Sequence, residues 1–368
     1  MRNSEIKIVF IAGARPNFIK IAPLIREARK YQNIKPILIH TGQHYDWEMS
    51  KVFFEELNIS EPEYNLNIGS GPHGWQTAKI IEKLEPILLK EKPDLVVVVG
   101  DVNSTLAGAL VAAKLSIPAA HIEAGLRSFN KEMPEEINRL LTDHISKYLF
   151  ATEPQAVKNL IEEGISKKSI FYVGNVMIDS LLRLKIKSKN LKFYEKFNIK
   201  PKEYAVLTLH RPENVDNKKT FKEILEAIGK IQNKIKIIWP IHPRTRKQLE
   251  KFDFCRKIKK MNNLLFVKPL GYLEMISLNV WAKLILTDSG GIQEEATIIG
   301  TPCLTLRKNT ERPVTAVQGN NIIVGTNKKK IIAEAFKILN GNIKKGRIPK
   351  HWDGKASQRI IKRLNRLM

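Results

Sequence analysis

The run Leu95-Val96-Val97-Val98-Val99 is apolar at every position and stops at Gly100-Asp101. A strand with one wet face shows polar residues at alternate places. A strand with none must be covered on both faces, as a central strand of a parallel α/β sheet is. An ionised carboxylate cannot continue into such a core without a large desolvation cost, so Asp101 marks the strand's carboxyl end. The same ending recurs where Ile117-Pro118-Ala119-Ala120-His121-Ile122 runs into Glu123-Ala124-Gly125-Leu126-Arg127, and Pro134-Glu135-Glu136-Ile137-Asn138-Arg139 then opens a helix. Ligands of open α/β sheets bind outside the carboxyl ends of the strands. Asp101, Glu123, Glu135 and Glu136 are thus expected to converge where protons could be moved on a bound molecule.

Short apolar runs alternate with helical patterns along the whole chain, the signature of parallel βα units. Strands are expected at Ile6–Ile11, Pro36–His40, Leu95–Val99, Ile117–Ile122, Tyr148–Ala151 and Ile170–Val173. A second series is expected at Tyr204–Leu209, Ile235–Trp239, Leu264–Val267, Leu284–Thr287, Pro302–Leu306 and Ile322–Val324. The segment Met177 to Lys202 between the two series is helical and highly charged, without a strand. With 368 residues, two domains are the default. The boundary is set near residue 176, giving domains 1–176 and 177–353, with a basic amphipathic helix 354–368 packing back on the first. The expected fold is α/β, with two Rossmann-like doubly wound domains and a cleft between them.

The formal charge of +25 admits nucleic acid or an anionic small molecule as partner. The lysines are scattered along helical stretches, and the densest run, Leu184 to Lys202, lacks the aromatic-glycine pattern of an RNA-binding module. A solvated lysine-rich surface is the reading, with no nucleic acid partner expected. Cys255 and Cys303 have no zinc-type or redox spacing, so the chain reads as intracellular and free of disulfides. Ile6 to Ala12 is too short for a signal-peptide core and reads as the first strand, and no stretch approaches a membrane span. A soluble, cytoplasmic protein is expected.

Several strand ends carry motifs. Gly13-Ala14-Arg15-Pro16-Asn17-Phe18-Ile19-Lys20 follows the first strand and opens a helix with proline at its start. N–H groups, helix dipole and the cations Arg15 and Lys20 suit phosphate there; an ordinary βα turn is the alternative. Thr41-Gly42-Gln43-His44-Tyr45 either meets a ligand or simply caps and turns. Gly69-Ser70-Gly71-Pro72-His73-Gly74 matches a dinucleotide fingerprint in spacing, but no buried strand precedes it and Pro72 interrupts it, so a mobile glycine loop is expected. His210-Arg211-Pro212-Glu213-Asn214 and His242-Pro243-Arg244 each end a strand, and two such histidines with nearby arginines suggest catalysis or phosphate binding. No i,i+4 histidine pair supports a metal. Asp288-Ser289-Gly290-Gly291-Ile292-Gln293-Glu294-Glu295 is the strongest motif, reading as a diphosphate cradle at a helix start, with Glu295 placed to accept from ribose hydroxyls.

Taken together, Gly13–Lys20, Thr41–His44, Gly100-Asp101, His121–Arg127, Pro134–Arg139, His210–Asn214, Asp288–Glu295 and Thr310-Glu311-Arg312-Pro313 resemble the non-hydrolysing UDP-N-acetylglucosamine 2-epimerases. They occur in family order up to about residue 313. Asn17 departs from the family, which often carries glutamate there. The resemblance implies a fold like the glycogen phosphorylase type of glycosyltransferase (GT-B) and interconversion of UDP-N-acetylglucosamine and UDP-N-acetylmannosamine without nicotinamide or metal. By resemblance the route removes UDP from C1 as a C2 proton leaves, giving 2-acetamidoglucal, and then re-adds UDP. Asp101, Glu123 and Glu135 are then the acid-base groups, expected to raise one another's pKa by clustering. His210, with Arg15 and Lys20, stabilises the departing diphosphate. Arg139, Ser289, Gly290, Gly291, Glu295 and Arg312 bind substrate. Gln43, His44 and His242 match positions that contact a second, activating UDP-N-acetylglucosamine, and a homodimer is implied. A hydrolysing epimerase and a GT-B glycosyltransferase are the rival readings.

Overall fold

A computed structural model describes residues 5–43, 54 and 56–368. The chain divides into two compact units, residues 1–182 with 350–368 and residues 183–349. Each is built on one parallel sheet.

In the first unit seven strands, β1 (Ile6–Ala12), β2 (Ile34–His40), β3 (Tyr64–Asn65), β4 (Leu95–Val99), β5 (Ala119–Ala124), β6 (Tyr148–Ala151) and β7 (Ile170–Tyr172), lie in the order β3-β2-β1-β4-β5-β6-β7. In the second, β8 (Tyr204–Thr208), β9 (Lys236–Pro240), β10 (Leu264–Val267), β11 (Leu284–Thr287), β12 (Cys303–Thr305) and β13 (Asn321–Ile323) lie in the order β10-β9-β8-β11-β12-β13. Both are doubly wound Rossmann-like sheets, reversing direction between β1 and β4 and between β8 and β11. At those reversals the loops leave toward opposite faces and open a crevice.

The continuous apolar runs are explained by two-sided burial. In the second sheet Leu207, Ile237, Trp239, Leu286 and Leu304 pack on one face with Phe221 and Ile224 from the helix Lys218–Ile231. Their neighbours Val206, Ile238, Ile285 and Cys303 pack on the other. In β4 all five residues are fully buried. The short edge strand Tyr64–Asn65 was not expected; two residues are too few to leave a pattern.

The helix Ala356–Leu367 belongs to the first unit, burying Ile360, Ile361 and Leu364. Asp179 receives its first amides, Ala356 N–H at 3.1 Å and Ser357 N–H at 2.7 Å, as a cap supplied from far away in the chain. The glycine segment 69–74 leads into the helix His73–Glu91. Its first residue is tied down, because the Gly69 amide donates to Gly42 O at 2.7 Å and the Gly69 carbonyl accepts from Gln76 Nε2 at 2.7 Å. No helix among the described residues is long and apolar enough to cross a membrane.

Candidate active site

In the first unit the expected acids gather at the carboxyl ends of β4 and β5. β4 closes with Gly100 at φ +73°. A Cβ at Gly100 would sit 3.3 Å from Lys20 Nζ and 3.6 Å from Glu123 Oε2, so both backbone conformation and space favour glycine. β5 slips register between Ile122 and Ala124, and the extra residue is Glu123, held at φ +76°. Such a bulge re-aims a side chain. Here it directs the buried Glu123 carboxylate to Lys20, which reaches it from the helix Arg15–Ala28 as a buried ion pair. Asn17 shapes the start of that helix. Its Oδ1 accepts from the amides of Gly13 (3.2 Å) and Ala14 (2.9 Å), and its Nδ2 donates to Val99 O at 3.0 Å. Arg15 is half-buried in the first turn of the same helix.

Asp101 accepts from Arg139 Nη1 at 2.5 Å, and Asn138 Nδ2 donates to its carbonyl at 2.9 Å. Arg139 is itself buried and spends its Nε and Nη2 on Glu136 at 2.9 and 2.5 Å. Glu136 also accepts from the amides of Ser128 (2.9 Å) and Phe129 (2.8 Å). Burial alone would raise the Glu136 carboxyl; the Ser128 amide and the Arg139 charge hold it below its ordinary value. Glu135 lies beside it at the start of the same helix, Pro134–Ile145, and is half-buried. Asp101 and Glu123 thus each face a buried cation, Arg139 and Lys20.

In the second unit His210 ends β8 and Asp288 ends β11. The His210 Nδ1 lies 2.9 Å from Asp288 Oδ1, with the ring 37% exposed and the carboxylate fully buried. Asp288 also accepts from the amides of His210 (3.0 Å) and Arg211 (2.9 Å) and from Asn214 Nδ2 at 3.2 Å. Burial would raise Asp288, but the charge and hydrogen bond of His210 keep it low. With Nδ1 engaged, Nε2 is the nitrogen left to meet a ligand. Ser289 is the N-cap of the helix Gly290–Ile299, whose first turn, including Gly291, presents backbone N–H groups without intrahelical partners. A Cβ at Gly290 would stand 3.2 Å from Arg312 Nε, and glycine lets that side chain cross the helix start to reach Glu294 Oε1 at 3.1 Å. Glu295, one turn in, is buried. Desolvation and, more weakly, the neighbouring Glu294 charge push its carboxyl up to about 8 against the opposing hydrogen bond of Tyr272.

Behind the cradle, Arg307 is fully buried. It donates through Nε to Glu213 at 2.9 Å and through both Nη atoms to Glu311 at 2.8 Å, tying the 307–312 loop to the turn that carries His210. Among the described residues no group of three or more His, Cys, Asp or Glu could hold a metal ion. Gln43 is buried and accepts from Ser104 Oγ at 2.8 Å; His242 is exposed at the start of the helix Pro243–Lys251, 5.7 Å from the His210 ring. His44 lies outside the described residues.

Residues 26–365 match the family model described as UDP-N-acetylglucosamine 2-epimerase. The chain belongs to this family. It is 52% identical over 363 residues to the UDP-N-acetylglucosamine 2-epimerase of Methanocaldococcus jannaschii, covering 97% of this chain and 98% of that one. It is 42% identical over 372 residues to the UDP-2,3-diacetamido-2,3-dideoxy-D-glucuronate 2-epimerase of Pseudomonas aeruginosa, covering 98% of this chain and all (100%) of that one. The crystal structure of the M. jannaschii epimerase in complex with UDP-GlcNAc and UDP superposes with a TM-score of 0.91 at 51% identity, over 98% of this chain and 100% of the other. The Neisseria meningitidis UDP-GlcNAc 2-epimerase bound to UDP-GlcNAc gives 0.88 at 32% identity, over 98% of this chain and 100% of the other. The two Rossmann-like domains are those of the GT-B class.

Reading strand ends gave no role to four charged residues with close partners: Asp143 and Arg307, outside the quoted motifs, and Asp288 and Glu311, inside them. Asp143, Asp288, Arg307 and Glu311 are all buried. A signal was present for one group: Glu136, Arg139 and Asp143 recur at three and four residues, which places all three on one face of their helix. Charged residues on a face that is otherwise packed are partners of something.

Proposed function

We propose that this epimerase-family protein interconverts UDP-N-acetylglucosamine and UDP-N-acetylmannosamine, losing and re-adding UDP without net hydrolysis. The observation that carries the reading is the set of carboxylates at one sheet end, Asp101, Glu123 and Glu135, two of them fixed by buried cations. A hydrogen on C2 of the sugar is not acidic while C1 is saturated. A carboxylate takes the C2 proton as the C1–O bond breaks and UDP leaves with the bonding electrons, giving 2-acetamidoglucal. UDP then adds back at C1 while a second acid returns a proton to the other face of C2, so atoms and charge balance over the cycle.

The second unit suits the leaving group. His210, held by Asp288, and the amide cradle at Ser289–Gly291 meet the diphosphate. Glu295 accepts from ribose hydroxyls, and Arg312 and Arg139 hold the neighbouring carboxylates in place. The names of the M. jannaschii and P. aeruginosa relatives support the choice of a UDP-2-acetamido sugar. The higher identity to the first favours UDP-N-acetylglucosamine over the diacetamido glucuronate. A homodimer, and a second UDP-N-acetylglucosamine acting as activator through Gln43, His44 and His242, belong to the same reading. The buried Gln43 amide would have to leave Ser104 to take part.

Proton NMR of the purified protein with UDP-N-acetylglucosamine in deuterium oxide tests this. UDP-N-acetylmannosamine growing in with deuterium at C2 is the expected result. Free N-acetylmannosamine with UDP would mean the hydrolysing reaction, and turnover of only the diacetamido glucuronate would transfer the assignment to that sugar.

A further inference from the structure

His121 lies in the middle of β5, fully buried, and both of its ring nitrogens have acceptors. Nδ1 is 2.6 Å from Asp143 Oδ1, and Nε2 is 2.8 Å from the carbonyl oxygen of Gly100. A carbonyl can only accept and an ionised carboxylate can only accept, so the ring satisfies both only as an imidazolium that donates twice. Asp143 is equally committed. Its Oδ2 takes the Gly125 amide at 3.0 Å and Arg127 Nη2 at 2.7 Å, and Arg127 in turn reaches Glu163 through Nε at 2.7 Å and Nη2 at 2.6 Å. The charged groups around the ring are therefore Asp143 directly on Nδ1 and Arg127 beyond it, with the Lys20–Glu123 pair on the far side of Gly100.

These contacts end on the two turns that carry the acids. Gly100, whose carbonyl His121 holds, precedes Asp101. Gly125, whose amide Asp143 holds, closes the bulge that aims Glu123, and it too sits at positive φ, +81°. Neither His121 nor Asp143 is placed to touch a ligand, because both side chains are completely buried.

We propose that His121 and Asp143 are positioning residues that act as one charged pair, fixing the Gly100–Asp101 turn through the Gly100 carbonyl and the Glu123 bulge through the Gly125 amide. The proposal rests on the epimerase reading for its kinetic consequence and on geometry alone for the pairing. A pair of this kind acts on the reacting geometry and leaves the uridine diphosphate groups untouched. Small misplacements of reacting groups cost about 10²-fold in rate.

The test uses the full-length protein with Asp143→Asn, His121→Gln and His121→Ala. Asp143→Asn is expected to lower kcat for C2 exchange by about 10²-fold, leaving KM and UDP affinity within about twofold. His121→Gln, whose amide still donates to Gly100 O, is expected to keep more turnover than His121→Ala. Should Asp143→Asn not fold, the two His121 variants carry the kinetic arm. Nitrogen-15 NMR of the wild-type ring at neutral pH is expected to show both nitrogens protonated. Wild-type turnover in His121→Ala, parallel losses of kcat, UDP affinity and melting temperature, or a neutral His121 ring would each overturn the proposal. If the wild type itself fails to exchange the C2 proton, the epimerase reading falls, and the NMR arm still decides the pairing.

Discussion

Glu295→Gln should do two opposite things, and the structure sets the size of each. The Glu295 carboxyl is buried and pushed up to about 8 from an ordinary 4.5. A group raised in this way keeps a proton in the folded chain that the unfolded chain has already lost. Its contribution to stability is complete below pH 4.5 and is lost as pH rises through about 8. At about 1.36 kcal/mol per pH unit, flattening as pH reaches the folded pKa, the wild type should lose roughly 2 kcal/mol between pH 6 and pH 8 through this residue alone. Glutamine stays neutral, so the variant's profile should lack that loss. UDP binding moves the other way. Ribose hydroxyls donate to the ionised carboxylate, and glutamine forfeits a hydrogen bond to a charged group, about 1.5–3 kcal/mol. The assay is denaturant unfolding of both proteins from pH 6 to 9, with calorimetric UDP titration at pH 8.5, where the wild-type carboxyl is mostly ionised. Wild-type affinity should also fall about tenfold per pH unit below 8 relative to the variant, which serves as control for titration of the phosphate itself. Parallel stability profiles would refute the buried neutral carboxyl, and equal affinities at pH 8.5 would refute the ribose contact.

Three further outcomes are expected. Asp101→Asn should abolish deuterium incorporation at C2 while UDP affinity by calorimetry stays within about twofold; a larger loss of affinity would make Asp101 a structural residue. Gly290→Ala places a methyl 3.2 Å from Arg312 Nε, so Arg312 must shift away from Glu294, and UDP binding should weaken by about 1 kcal/mol; unchanged binding would show that the cradle tolerates the shift. Asp143 and Asp288 are both buried carboxylates held low by histidine and hydrogen-bond partners. Their stabilisation is present above the ordinary carboxylate range and is lost as pH falls below about 4, which acid titration by circular dichroism would show as a cooperative transition that Asp288→Asn shifts.

The strands were legible because two-sided burial removes polar residues from a whole run. Leu95–Val99, Tyr148–Ala151 and Leu284–Thr287, buried throughout, begin and end at the residues where the apolar pattern does. Tyr64–Asn65 escaped because an edge pair of two residues needs no such run. Helix starts were legible for a local reason, as at Pro134 and Ser289, where proline or a capping residue precedes the helical pattern.

Pattern along the chain thus determined the two doubly wound sheets and put the acids in the first, and the strand-end histidines and glycine-led helix start in the second, at the carboxyl ends of their strands. In a parallel sheet all strands send their carboxyl ends the same way, so a residue's place at a strand's end is also its place in the fold. Only the tertiary structure decided which partner each charge received. Lys20 meets Glu123 across 103 residues, Arg307 meets Glu213 across 94, and Arg139 reaches Asp101 across 38. Such pairings leave no periodic trace. They depend on sheet register, on the bulge at Glu123 and on burial, which together set the distances and the local dielectric that govern how charges interact.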